Sequence, residues 1–161
     1  MTSEDTIRLI NQLIETSLDG ELGYRTAAEH VHNVQLQSVF TDYAKQRALF
    51  AHQLQAEVER LGGSAASSGS LTAALHRGWI DVKAALSRGD GGAIVAACET
   101  GEEAAAAAYQ GVLDMDISGQ TRSLIERQFR QVQEAHHHMS RLMETHGTVA
   151  YPKTETGKGG F

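Results

Sequence analysis

Four long stretches of this chain repeat apolar residues in alternating steps of three and four, and each carries a polar or ionisable residue mid-seam. Such steps place side chains on one face of an α-helix, so the pattern dictates amphipathic helices packed seam to seam. The first seam reads Ile7, Ile10, Ile14, Ser17, Glu21, Tyr24, Ala28, Val31. The second reads Leu36, Phe40, Tyr43, Arg47, Phe50, Leu54, Glu57 or Val58, Leu61. The third is Val95, Cys98, Glu102, Ala105, Tyr109, Val112, and the fourth Ile125, Phe129, Val132, His136, Met139, Met143. The single proline, Pro152, lies beyond all four, so no helix-breaking ring interrupts them.

Local signals set the bounds. Ser3 is the expected N-cap of a helix reaching Val31, with Glu4 and Asp5 favouring the positive end of its dipole. Asn33 caps a second helix that runs to Leu61 and stops at Gly62-Gly63. Residues 62–70 read as a flexible linker. Ser70 then caps a shorter helix over 71–87, whose stripe of Leu71, Leu75, Trp79, Val82 and Leu86 is anchored on the bundle by Trp79. The third helix is expected over 93–114, a turn over 115–118 and the fourth helix over 119–145. A very short first connection makes the first two helices antiparallel. The linker and short helix are long enough to return along most of a helix of about 42 Å, which sets the second and third helices parallel. The expected organisation is one helical bundle over 1–147 and a flexible tail over 148–161.

Charge narrows the function. Fourteen Lys and Arg face 20 Asp and Glu, a net charge of −6 with no basic block, which argues against nucleic acid or an anionic membrane as partner. The N-terminal residues do not resemble a signal peptide, and no apolar run approaches the ~20 residues of a membrane span. A soluble cytoplasmic protein is expected. Cys98 is the only cysteine, so no internal disulfide forms, and its seam position suits an inert thiol. No phosphate-binding glycine loop, nucleophile elbow or triad spacing supports a nucleotide-binding or hydrolytic role.

The chemistry lies in the seam interruptions. A buried carboxylate is costly unless paired, metal-bound or protonated. Glu21, Arg47, Glu102, Gln133 and His136 fall at matching heights and are expected to converge at mid-bundle. Two readings follow. In one they form a buried polar network in which Arg47 neutralises the acids. In the other Glu21, Glu102 and His136 ligate Fe, Mn or Zn, with water completing the shell. Tyr24 and Tyr109 are then core residues or, with a metal, redox neighbours. Gly20 and Gly23 flank Glu21 and allow either close backbone approach or tight helix packing. His136, His137 and His138 fan around their helix and cannot converge on one ion, while His30 and His32 read as solvated. The small residues Ala104 to Ala108 signal close helix packing or, in a third class of function, the wall of a ligand pocket.

Ferritin-like di-metal bundles place a glutamate on each of two helices and a Glu-x-x-His pair on each of the other two. Glu21 and Glu102 fit the single-glutamate positions, and Glu102, Ala105 and Tyr109 are spaced as in rubrerythrin and bacterioferritin helices. Arg47 with Phe50, and Gln133 with His136, stand at the pair positions. Closer still are Leu13-Ile14-Glu15 with Asp19-Gly20, Gln46-Arg47-x-x-Phe50-Ala51, Leu61-Gly62-Gly63, Leu75-His76-Arg77-Gly78-Trp79, and Gly101-Glu102 with Tyr109. On these stretches the chain resembles a bacterial ferritin-like family catalogued as domain of unknown function 2383, a divergent relative of the rubrerythrin and bacterioferritin superfamily. The resemblance implies an all-α ferritin-like four-helix bundle, two antiparallel hairpins joined by a long crossover. It implies no activity, substrate or cofactor. The leading expectation is a non-catalytic bundle with no catalytic residue and no cofactor, acting through its surface or as a homodimer. The alternative is a metal-binding oxidoreductase or metal-handling protein.

Overall fold

The structure, a computed structural model, describes residues 1–69, 79, 84–86 and 91–146. The tail at 148–161 lies outside the described residues, as does the crossover helix at 71–87 apart from Trp79 and residues 84–86. The described chain is all-helical, with four long helices: α1 (Ser3–His30), α2 (Val34–Arg60), α3 (Gly91–Leu113) and α4 (Gly119–His146). Among the described residues, no helix is long and apolar enough to cross a membrane.

The helix ends follow from local chemistry. Thr2, not Ser3, caps α1: its hydroxyl accepts from the Asp5 amide at 3.1 Å while the Asp5 carboxylate accepts from the Thr2 amide at 3.1 Å. This reciprocal pairing satisfies two otherwise orphaned donors, and serine one residue later has no acid at the right spacing to return the bond. Asn33 caps α2 by accepting from the Leu36 amide at 3.0 Å. At the far end of α2 the chain turns through Gly62 at φ +83°, and Gly63 N–H donates to the Val58 carbonyl at 3.0 Å. That left-handed residue is cheap only for glycine. The segment after it is less free than its glycine- and serine-rich sequence suggests. Asn11 donates to the Ser64 carbonyl and accepts from the Ala66 amide, and Gln55 donates to the Ala66 carbonyl, tying the strap to α1 and α2.

Two apolar clusters fill the bundle. One joins Leu9 to Ile14 of α1, Phe50 to Val58 of α2, Ala105 to Leu113 of α3 and Leu124 to Val132 of α4. The other joins Tyr24 to Ala28 of α1, Leu36 to Ala44 of α2, Ile94 to Cys98 of α3, and Met139 of α4. The later half of α2 therefore lies level with the later half of α3 and the earlier halves of α1 and α4. Hence α2 and α3 run parallel to each other and antiparallel to α1 and α4.

Trp79 secures the connection. Its indole is buried and lies edge-on to Tyr24, with ring centroids 4.9 Å apart. It covers Gly23 of α1 and Gly101 of α3; a Cβ built on Gly101 would lie 2.5 Å from Trp79 Cε2, and one on Gly23 would collide with the same ring. Tight packing is thus the reason for Gly23. Gly111, on the exposed side of α3, faces open space. The same Gly→Ala change should therefore have opposite signs at the two sites. Gly111→Ala should stabilise by up to about 1 kcal/mol through helix propensity. Gly101→Ala should destabilise, because overpacking of about 1–3 kcal/mol exceeds that gain. Urea denaturation followed by Trp79 fluorescence, the only tryptophan signal, checks both. A stabilised Gly101→Ala with unshifted emission would remove the indole from its assigned seat.

Candidate functional site

Arg47 and Glu102 meet between the two apolar clusters. Their side chains are 2% and 0% exposed, and Arg47 Nη2 lies 2.7 Å from Glu102 Oε1 and donates to Oε2 at 2.8 Å. One nitrogen thus straddles both carboxylate oxygens. The Tyr24 hydroxyl donates to Oε1, and Arg47 Nε donates to Gln46 Oε1 at 3.3 Å. The guanidinium carbon sits over two aromatic rings, 5.7 Å from the Tyr24 centroid and 5.6 Å from that of Phe50, so two π-systems contact the cation. Gly20 leaves room for the arginine stem, since a Cβ there would lie 3.3 Å from Arg47 Cγ. The centre needs three helices: α1 gives Tyr24 and Gly20, α2 gives Arg47, α3 gives Glu102.

Burial sets the protonation chemistry. Burial is the largest influence on Arg47 and works against its charged form, but Glu102, by charge and hydrogen bond, together with Tyr24 and Tyr109 outweighs it, and the guanidinium pKa is raised. Burial, reinforced by Glu102, pushes the Tyr24 phenol well above its ordinary value. The same two causes, in the same order, raise the Cys98 thiol well above its usual range. Cys98 is therefore a packed thiol, and thiolate nucleophilicity at neutral pH is closed to it.

A second polar chain crosses one level below. Tyr109 donates to Gln128 Oε1 at 2.7 Å and lies 3.4 Å from Ser17 Oγ. Gln128 donates onward to the Phe50 carbonyl at 3.3 Å and to Gln53 Oε1 at 3.0 Å. A third contact closes the end of the bundle, where Thr121 donates to Glu57 Oε1 at 2.6 Å and Arg60 Nε to Glu57 Oε2 at 3.1 Å.

The five residues expected at one point are divided among four places. Arg47 and Glu102 meet. Glu21 turns to Arg25 one helical turn on, its side chain 18% exposed, because Gly20 rather than Glu21 occupies the α1 seam. Gln133 is exposed. His136 leans to the outer side of α3, with Nε2 3.5 Å from Glu103 Oε1 and 3.8 Å from Glu99 Oε1. Glu21, Glu102 and His136 therefore do not form one ligand set. The inward seam of α4 is Thr121, Ile125, Gln128, Val132, Ala135, Met139, with Gln128 and Ala135 one residue before the expected Phe129 and His136. The missed residue is Gln128. Its signal was present, since Thr121, Gln128 and Ala135 repeat every seven residues alongside Ile125, Val132 and Met139.

A di-metal pair does not fit this centre. Glu102 is the carboxylate at the described centre, and its oxygens already face a guanidinium and a phenol. A guanidinium offers no lone pair to an ion. The profile of the family described as domain of unknown function (DUF2383) matches residues 5–115. The chain belongs to this family. The DUF2383 match spans α1 through α3 and so contains Tyr24, Arg47 and Glu102, while α4, with Gln128 and His136, lies beyond it. No curated protein matches the chain.

The tyrosines of this DUF2383 chain give a pH test. Burial lifts Tyr109 to about 12, and Tyr24 is raised as well. Below the unfolded value of about 10 both states hold these protons and the full stability is present. Above it the unfolded chain ionises while the folded one does not, so stability falls as pH rises, by up to about 1.4 kcal/mol per pH unit for each group. Urea midpoints measured from pH 8 upward should drop from about pH 10. Tyr109→Phe should flatten that drop; an equally steep one would show Tyr109 ionising alike in both states.

Proposed function

We propose that this protein is a ferritin-like four-helix bundle whose Arg47–Glu102–Tyr24 centre stands where a di-metal pair sits in metal-bearing bundles of that architecture. In this reading the centre fixes helix register and catalyses nothing, and the bundle acts in the cytoplasm through its surface or by self-association. The supporting observation is the guanidinium itself: a permanent cation 2.7 Å from the carboxylate leaves that group no vacancy for an ion. The parallel run of α2 and α3, with a long connection between them, supports the ferritin-like arrangement.

A double-mutant cycle tests the role. Arg47→Met strands a buried carboxylate and should cost about 3–5 kcal/mol. Adding Glu102→Gln neutralises that charge and keeps an acceptor for Tyr24, so the double variant should recover most of the loss in urea denaturation. Metal content of tag-free protein should be the same in wild type and Glu102→Gln. A silent Arg47→Met, or loss of bound Fe, Mn or Zn in Glu102→Gln, would overturn this reading in favour of a metal centre built on Glu102.

A further inference from the structure

A second cluster of ionisable groups lies on the α3–α4 face, outside the Arg47–Glu102 centre. Glu99 and Glu103 are one turn apart on α3, and His136 of α4 reaches between them. One ligand atom from each of the three lies within 4.8 Å of the others, and among the described residues this is the group of His, Cys, Asp and Glu so arranged.

The geometry points to a divalent transition-metal site, and we propose that Glu99, Glu103 and His136 bind one such ion through two carboxylate oxygens and the imidazole Nε2. Three features carry this. His136 Nε2 is buried although the ring as a whole is only partly so, and it makes no hydrogen bond. Its distances to the acids, 3.5 and 3.8 Å, are too long for good hydrogen bonds. They lie close to the edge of a tetrahedron with metal–ligand bonds of about 2.1 Å, which is roughly 3.4 Å. An ion placed between the three atoms would bind them with little movement of either helix. Two like charges one turn apart also disfavour the helix, and a cation between them removes that cost.

The neighbouring imidazoles do not share this position. His138 Nδ1 is engaged by the Tyr43 hydroxyl at 2.7 Å, His30 Nδ1 lies 2.8 Å from the Thr26 carbonyl, and His137 is exposed. The donor set of one nitrogen and two oxygens suits Zn(II), Mn(II) or Fe(II). Glu103 is 61% exposed, so water completes the shell from the solvent side. The site is built from the two helices of one hairpin, so binding would clamp α3 to α4. It shares no residue with the Arg47–Glu102–Tyr24 centre, and either assignment can fail alone.

The experiment is calorimetric titration of the full tag-free chain with Zn²⁺, alongside thermal denaturation with and without the ion. Wild type should show one saturable site per chain and a Tm raised by Zn²⁺. His136→Gln and Glu103→Gln should each weaken that site by at least about tenfold, the scale of losing a group that tunes a metal. In the absence of Zn²⁺, His136→Gln should keep the wild-type Tm and Glu103→Gln should match or slightly exceed it, since it removes the like-charge pair. His137→Gln, on the exposed neighbour, should bind as wild type does and separates this site from surface imidazole binding. A wild type without a saturable site, or a His136→Gln variant that binds Zn²⁺ undiminished, would overturn the proposal.

Discussion

The fold depends on how one buried ion pair is accommodated. Taking a guanidinium and a carboxylate out of water costs several kcal/mol per ion, which mutual attraction offsets only with good geometry and further hydrogen bonds. Here Arg47 Nη2 contacts both oxygens of Glu102, Tyr24 donates to one of them, Gln46 accepts from Nε, and Tyr24 and Phe50 supply π-faces. The pair need add no net stability to matter. A one-residue slip of α2 or α3 would separate the charges in an apolar interior, so the pair selects one register from many that apolar seams alone would tolerate.

The same demand shapes the neighbouring backbone. Gly20 makes room for the arginine stem, and Gly23 and Gly101 make room for the indole of Trp79. Trp79 then packs on Tyr24, the phenol that hydrogen-bonds Glu102. The crossover segment and the polar centre are thereby joined through one tyrosine. The Ser17–Tyr109–Gln128–Gln53 chain repeats the device one level away, with neutral groups in place of ions. Small residues, a large aromatic and satisfied polar groups at adjoining levels give the bundle more specificity than Leu and Ala packing would.

Much of this was legible in the chain. The α2 seam through Leu36, Phe40, Arg47, Phe50 and Leu54, and the α3 seam through Val95, Cys98, Glu102, Ala105, Tyr109 and Val112, are buried as their spacing predicts. Both helices carry enough large apolar residues to define a single inward line. In α1 and α4 the line is ambiguous because neighbouring positions compete. Gly20 and Glu21 both fit steps of three and four, as do Ala135 and His136, and in each case the smaller residue faces inward. A glutamate or histidine at an ambiguous position draws attention for its chemistry, yet water rewards turning it outward.

The sequence by itself determined the four helices, their ends to within a residue or two, and the need to neutralise Glu102, because periodicity, caps and the cost of a buried charge are local or pairwise facts. Only the tertiary structure decided which charges meet. A rotation of one residue, about 100° around a helix axis, separates Glu21 from the centre and carries His136 to the side of α3 where Glu99 and Glu103 lie. That rotation is set by volumes on three other helices, and no single segment encodes it.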